Sequence, residues 1–491
     1  MQTRRQFFST VAAAGAAVGQ SRKRPNVLVI ITDQQRAGML SCAGNPYVKT
    51  PNLDSLAKTG VRFEQAYAAN PVCSPSRMSL MTGRMPSAIG MECNEDNALP
   101  KTVVPASMLG SSLGRTFRDA GYQTVYGGKI HLPKGEGGKQ PLDGYGFDLI
   151  SKNEREELAK TSAAFLREKH DRPFLMVASF INPHDICYMA INAFARHQGQ
   201  APKQSEPGRY VEKALRLPEN VSEAAFFRSQ CPPLPANHEV PKNELSTLIL
   251  DKREFQKYVR ESWTDRDWRL HRWAYARLTE QVDREIGILL EALRETGHDR
   301  DTVVVMTADH GDQDASHRLE HKEVLYEEAT HIPFIVSWKG VTKAGAVDRD
   351  HLVSNGLDLI PTLCDFAGIQ TPPSLHGSSV RALAEGRPAP GWRDHLVVEN
   401  HIGRLVHAGR WKYMAGRSGK HADDACLICR QRIKEWDGRV REMLIDLETD
   451  PGEMLNLARE RRFAPQLEQG RQRLRQWYRE HGESLDPGYV V

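Results

Sequence analysis

Val27-Leu28-Val29-Ile30-Ile31, closed by Thr32-Asp33-Gln34, reads as a strand with an apolar residue at every position. Successive strand residues point to opposite faces of a sheet, so a run that is apolar throughout is buried on both. The same texture returns three times. Thr124-Val125-Tyr126 stops at Gly127-Gly128-Lys129-Ile130-His131, and Phe174-Leu175-Met176-Val177-Ala178 runs on to Asn182-Pro183-His184. Thr302-Val303-Val304-Val305-Met306 ends at Thr307-Ala308-Asp309-His310. Helical patterns separate these runs: Pro51 to Thr59 before Gly60, Pro105 to Ala120 before Gly121, and Trp268 to Thr296 before Gly297. In the last, Trp273, Val282, Ile286 and Leu290 keep three- and four-residue spacings. Strands alternating with helices predict an α/β fold built on a large, mostly parallel sheet sandwiched by helices. Such sheets gather functional groups beyond the carboxyl ends of their strands. The polar residues that close each run are therefore expected to converge.

The 491 residues exceed one ordinary core. Residues 1–20 stand apart: Thr3-Arg4-Arg5-Gln6-Phe7-Phe8 precedes a short Ala/Gly-rich stretch, the pattern of a twin-arginine export signal. That stretch is too short to span a bilayer, and nothing later approaches about 20 uninterrupted apolar residues. The expectation is a periplasmic or secreted protein, a client of the twin-arginine translocase, without a stable membrane span. Residues 21–384 are expected to form the main domain. Within it, 187–265 carries Pro232-Pro233-Leu234-Pro235 and no clear period, and reads as a loop-rich insertion roofing the site. Residues 385–491 change texture: Leu396-Val397-Val398, Trp411-Lys412-Tyr413 and Met443-Leu444-Ile445 precede a polar helix from Ala464 to His481. A smaller C-terminal antiparallel-sheet α+β subdomain fits them. The net charge of +4 is spread along the chain without the basic stripe that nucleic-acid binding needs. Eight cysteines in an exported chain suggest some disulfides, and Cys426 and Cys429 form a CxxC without a second pair for zinc.

The sharpest motif is Cys73-Ser74-Pro75-Ser76-Arg77, followed by Met78-Ser79-Leu80-Met81-Thr82-Gly83. Ser74 to Thr82 reads as a helix with proline in its first turn and glycine at its stop. Residue 73 then sits at a helix N-terminus, where an oxyanion is favoured, and Arg77 lies one turn on. A lone cysteine is most often a small buried hydrophobe. Here, however, C-x-P-x-R, Asp33-Gln34, Lys129-Ile130-His131, His184, Asp309-His310 and Lys322 occur together and in order. In this the chain resembles the type I sulfatases of the alkaline-phosphatase-like superfamily.

That resemblance implies a sulfuric ester hydrolase in which Cys73 is oxidised to formylglycine by a formylglycine-generating or anaerobic sulfatase-maturing enzyme. It implies that Asp33, Gln34, Asp309 and His310 hold a Ca2+ ion together with residue 73. Gln34 and His310 depart from the commoner Asp and Asn, which leaves Mg2+ or Mn2+ open. It further implies that a hydroxyl of the hydrated aldehyde attacks sulfur, with Lys129 and Lys322 spreading the charge. His184 is expected to protonate the leaving oxygen, His131 to take the proton that expels sulfate, and Arg77 to orient the diol. For the substrate, a sulfated carbohydrate is expected, with Asn94, His317 and Arg404 as candidates lining the leaving-group side. Aryl or alkyl sulfate hydrolysis, or phosphonate and phosphate ester hydrolysis on the same scaffold, is the alternative.

Overall fold

A computed structural model describes residues 24–91, 93–94, 104–133, 141–202, 204–245, 253–416 and 440–481. The export signal and the Cys426/Cys429 pair lie outside the described residues. The main body contains strands β1 (Asn26–Asp33), β2 (Val61–Phe63), β3 (Ala66–Tyr67), β4 (Gln123–Gly128), β5 (Asp148–Ser151), β6 (Phe174–Pro183), β7 (Thr302–Ala308), β8 (Phe334–Ser337), β9 (Ala346–Asp348) and β10 (Val353–Ser354). Eight of them form one sheet in the order β5-β4-β6-β1-β7-β8-β2-β9, while β10 and β3 pair separately. The sheet is parallel from β5 to β7; β8 runs antiparallel to both β7 and β2.

The quoted run Val27–Ile31 is the middle strand, and its two faces feed two cores. Val27, Val29 and Ile31 pack with Met78, Leu80, Phe117, Leu359 and Ile360. Leu28 and Ile30 pack on the other side with Leu158, Leu166, Val282, Ile286 and Leu289. Each such side chain contributes about 1.5–3 kcal/mol by leaving water, which is why no polar residue interrupts the strand. The helix Asp265–Glu295 covers the second face. It starts in a capping box, with Thr264 Oγ1 accepting from the Asp267 N–H and the Asp267 carboxylate accepting from the Thr264 N–H.

Two expectations need correction, and a third gains detail. The segment 187–265 carries, between its loops, helices Cys187–His197, Glu206–Ala214, Glu223–Ser229 and Glu254–Ser262. They are short, and Ser205 and Ser222 cap two of them individually, so no continuous period marks them. The helix expected from Pro105 to Ala120 breaks into Ala106–Gly110 and Leu113–Asp119, because Ser112 adopts an extended backbone after Gly110. Nor do disulfides form among the described residues, where Cys42, Cys73, Cys93, Cys187, Cys231 and Cys364 are all thiols.

The C-terminal sheet is a meander of β11 (Leu396–Asn400), β12 (Gly403–Ala408), β13 (Trp411–Gly416) and β14 (Glu442–Asp446). The helix Ala464–Glu480 packs Leu467, Leu474 and Trp477 against Val397, Val406 and Leu444 on one face. Val398, Leu405 and Met414 on the other face meet Leu319, Val324 and Leu325 of the main body. No helix among the described residues is long and apolar enough to cross a membrane.

Candidate active site

Parallel register brings the carboxyl ends of β1, β4, β6 and β7 to one edge, and the polar residues after them meet there. Asp33 ends β1, Lys129 and His131 follow β4, His184 follows β6 beyond a cis Asn182–Pro183 bond, and Asp309 and His310 follow β7. The helix Cys73–Thr82 points its N-terminus into the same place. Val72 caps it without a side chain, and Asn94 Oδ1 instead accepts the Ser74 N–H at 3.1 Å. Gly83, at φ 67°, stops it as expected.

The centre of the cluster is Asp33, Cys73, Asp309 and His310, all buried, with ligand-capable atoms within 4.8 Å of one another. Opposite ligands of a calcium ion at 2.3–2.6 Å stand about 4.6–5.2 Å apart, so this donor set fits around one hard cation. His310 is suitably oriented: Nδ1 lies 2.9 Å from the Gly311 carbonyl, which it meets as an N–H donor, so that Nε2 faces the cluster, 3.2 Å from Cys73 Sγ. Gln34 is turned by its neighbours. Its amide nitrogen donates to Asp312 Oδ2 at 2.6 Å, and its Oε1 accepts from Lys322 Nζ at 2.9 Å.

Arg77 is buried beneath the carboxylates, with Nε on Asp309 Oδ2 at 2.9 Å, Nη2 on Asp33 Oδ2 at 3.0 Å, and Nη1 on the Lys129 carbonyl and Ser179 Oγ. It braces the acidic pair that stands beside residue 73.

Lys129 Nζ is 2.5 Å from Asp33 Oδ2 and 3.7 Å from Cys73 Sγ, and Lys322 Nζ is 2.9 Å from Cys73 Sγ. Burial alone raises the Cys73 thiol pKa, but Lys129, Lys322 and His310 overcome it and hold it well below the usual value. Burial, then Lys322 and Lys129, push the His184 imidazole down to about 3. The position is thus built for negative charge at residue 73. Lys129 reaches it because Gly128 turns at φ 92°, where an added Cβ would stand 2.0 Å from the Ser179 carbonyl oxygen. Gly128→Ala is expected to cost about 1–3 kcal/mol from strain at that backbone, read as a lower urea midpoint. An unchanged midpoint would show that the turn relaxes freely.

The cavity above the cluster has a volume of about 440 Å³. Cys73, Asn94, Lys129, His131, His184 and Lys322 line its floor, and of the expected substrate residues Asn94 is among them. His317 and Arg404 are not. The His317 ring stacks on Tyr326 with centroids 4.0 Å apart and Nε2 2.8 Å from the Gly452 carbonyl. Arg404 is buried on β12 and donates to Tyr478 and the Asn400 carbonyl. His317 serves the junction with the C-terminal part, and Arg404 the contact between that sheet and the helix Ala464–Glu480, and sequence order alone separates neither from the cavity rim. The cavity is also lined by Glu154, Tyr188, Arg253 and Phe255, which no motif marks. Glu154 comes from the segment after β5, and the packing of the helices in 187–265 brings in the other three.

The family profile described as Sulfatase matches residues 25–369, and one described as N-sulphoglucosamine sulphohydrolase, C-terminal, matches residues 315–480. The chain is 28% identical over 485 residues to a Delta 4,5-hexuronate-2-O-sulfatase of Bacteroides thetaiotaomicron, covering 94% of this chain and 90% of the relative. It is 24% identical over 535 residues to an N-acetylglucosamine-6-O-sulfatase of the same organism, covering 95% and 88%. A solved structure of a 2-O GAG sulfatase superposes with a TM-score of 0.74 at 25% identity, covering 94% of this chain and 93% of that one.

Proposed function

This chain belongs to the sulfatase family and is a sulfuric ester hydrolase, and we propose that it removes an O-sulfate from a carbohydrate through formylglycine made from Cys73. The observation that carries this reading is the pair Lys129 and Lys322 closing on residue 73 at a helix N-terminus, beside an acidic cluster. Two-metal phosphatases would need further carboxylate or histidine ligands where these lysines stand. The Cys73 sulfur marks where the oxygens of the matured residue would lie.

Asp33, Gln34, Asp309 and His310 would hold a divalent cation, Ca2+ by the hardness of the oxygen donors. A cation there polarises sulfate oxygens and makes a neighbouring hydroxyl more acidic. Lys129 and Lys322 offset the charge that grows on the sulfuryl oxygens. His131 stands at the cavity floor to accept a proton from residue 73, and His184 to give one to the leaving oxygen. In the free enzyme His184 is neutral, held so by burial and by repulsion from the two lysines. A sulfate ester facing those lysines offsets the repulsion, so protonation of His184 is coupled to substrate binding.

This coupling has a kinetic signature. Between pH 5 and 9 the kcat/KM profile, which reports the free enzyme, should fall with rising pH without an inflection from His184, whereas kcat should show one. A kcat/KM inflection in that range that vanished in His184→Gln would contradict the assignment.

Export by the twin-arginine translocase to the periplasm or beyond, with maturation by a formylglycine-generating or anaerobic maturing enzyme, belongs to the same proposal. So does the division into a catalytic part over 21–384 and a C-terminal part over 385–491. The carbohydrate class is supported by the named activities of the relatives. The deciding experiment measures sulfate release from sulfated mono- and disaccharides, 4-nitrophenyl sulfate and phosphonate esters, using protein co-produced with a maturing enzyme. Saccharide turnover several orders of magnitude above the phosphorus esters is expected. Turnover of phosphorus esters alone would overturn the reading.

A further inference from the structure

We propose that the substrate carries a second anionic group beside the ester sulfate, and that Arg253 binds it. The inference rests on the sulfatase reading above and deepens it to a substrate class: a sulfated saccharide bearing a carboxylate or another sulfate on the same or the adjoining ring.

The charges of the cavity divide by depth. Lys129 and Lys322 are buried at the floor and turned toward Asp33 and residue 73, so the ester sulfate accounts for them. Arg253 is a third cation, with a different setting. It opens the helix Glu254–Ser262, where its own N–H donates to Gln256 Oε1 at 2.9 Å and fixes its backbone. Its side chain is 34% exposed and lines the same cavity as residue 73. One guanidinium nitrogen meets Glu323 Oε1 at 3.2 Å. A guanidinium carries five N–H donors in a plane, and the buried Glu323 carboxylate holds one of them in place. Glu323 therefore aims Arg253, and the remaining donors match the two oxygens of a carboxylate or sulfate.

Position says where that group sits on the substrate. Glu323 follows Lys322 directly, and neighbouring Cα atoms are about 3.8 Å apart. The anchor of the rim cation is thus one residue from the lysine that faces the sulfate, which suits two anions on the same or adjoining rings. The carboxylate that lines the cavity, Glu154, comes from the opposite flank. It follows β5, which three strands separate from β7 in the sheet order, while Arg253 pairs with the segment after β7. An acceptor for sugar hydroxyls on one wall and a cation on the other would orient a polar, asymmetric, anionic ring.

The test compares wild type with Arg253→Ala and Arg253→Lys, each co-produced with a maturing enzyme. The probes are a 2-O-sulfated hexuronate, an N,6-O-disulfated glucosamine and a neutral 6-O-sulfated N-acetylglucosamine. The reading is the ratio of kcat/KM on each dianionic sugar to that on the neutral one. Wild type should favour one of the dianionic sugars at least about 10-fold, and which one names the second group. Arg253→Ala should lower that ratio about 10- to 100-fold, mostly through KM, and Arg253→Lys should restore part of it. A wild-type preference for the neutral sugar, or a ratio unmoved by Arg253→Ala, would overturn the inference and leave the sulfatase reading standing. No sulfate release from any of the three would sink both.

Discussion

Cys73→Ala is expected to abolish sulfate release, lowering turnover by roughly 10⁴- to 10⁶-fold, the scale on which loss of a nucleophile acts. The fold should survive the change. The side chain is small and buried at the first turn of a helix whose other contacts remain, and Met78, Leu80 and Met81 carry its packing. Removal of the thiol also takes a negative partner from Lys129 and Lys322, but Asp33 still faces both. Thermal unfolding should therefore shift by only a few degrees while activity disappears. Cys73→Ser, produced without a maturing enzyme, separates two schemes. A single hydroxyl can take the sulfuryl group but has no second oxygen with which to expel it. The serine variant should release at most about one equivalent of alcohol per chain and then stop. Sustained turnover by Cys73→Ser would exclude the two-oxygen scheme and with it the need for formylglycine.

Much of this site was legible because the chemistry and the topology speak through the same residues. A strand buried on both faces has to be apolar until it ends. The polar residues after Ile31 and Met306 therefore mark the carboxyl edge of the sheet, where Asp33 and Asp309 sit, while β6 runs on past Ser179 to Pro183 and His184 follows its end. Arg77 shows the limit of such reasoning. Helical spacing puts it on the same side as residue 73, but not at the same height, and the structure sinks it under the carboxylates. His317 and Arg404 show another limit. A charged residue near a motif looks like a rim residue, yet His317 is buried against the Gly452 carbonyl of the C-terminal part and Arg404 between the C-terminal sheet and its helix. The strand Gly403–Ala408 was hidden for a related reason. Its Arg404 and His407 break the apolar run because they answer Tyr478 and Tyr67 across the sheet's two faces. The segment 187–265 is expected over the site, but which of its residues reach the cavity is hidden, since short, separately capped helices carry no long period.

Arg77→Met should produce the largest loss of stability of any single change in the site. The guanidinium makes four hydrogen bonds, two of them to Asp33 and Asp309, and is 1% exposed. Removing one partner of a buried ion pair leaves the other charge without compensation and costs about 3–5 kcal/mol. Here two carboxylates are left. Arg77→Lys should recover little, because an ammonium cannot span two carboxylates, a carbonyl and a hydroxyl in one plane. The pH dependence of the loss identifies its cause. Burial, then the neighbouring Asp33, already raise the Asp309 carboxyl to about 6. Without Arg77 it rises further. A carboxyl whose folded pKa lies above its unfolded one binds its proton more tightly in the folded state. Stability is then kept at low pH and lost as pH rises through the folded pKa. Arg77→Met should therefore be closer to wild type at pH 5 than at pH 8 in chemical denaturation. Added Ca2+ should recover part of the deficit at pH 8, since the cation supplies the positive charge that Arg77 no longer provides. A deficit independent of both pH and Ca2+ would mean that Arg77 acts by packing, and the acidic pair would then need another account of how it stays charged.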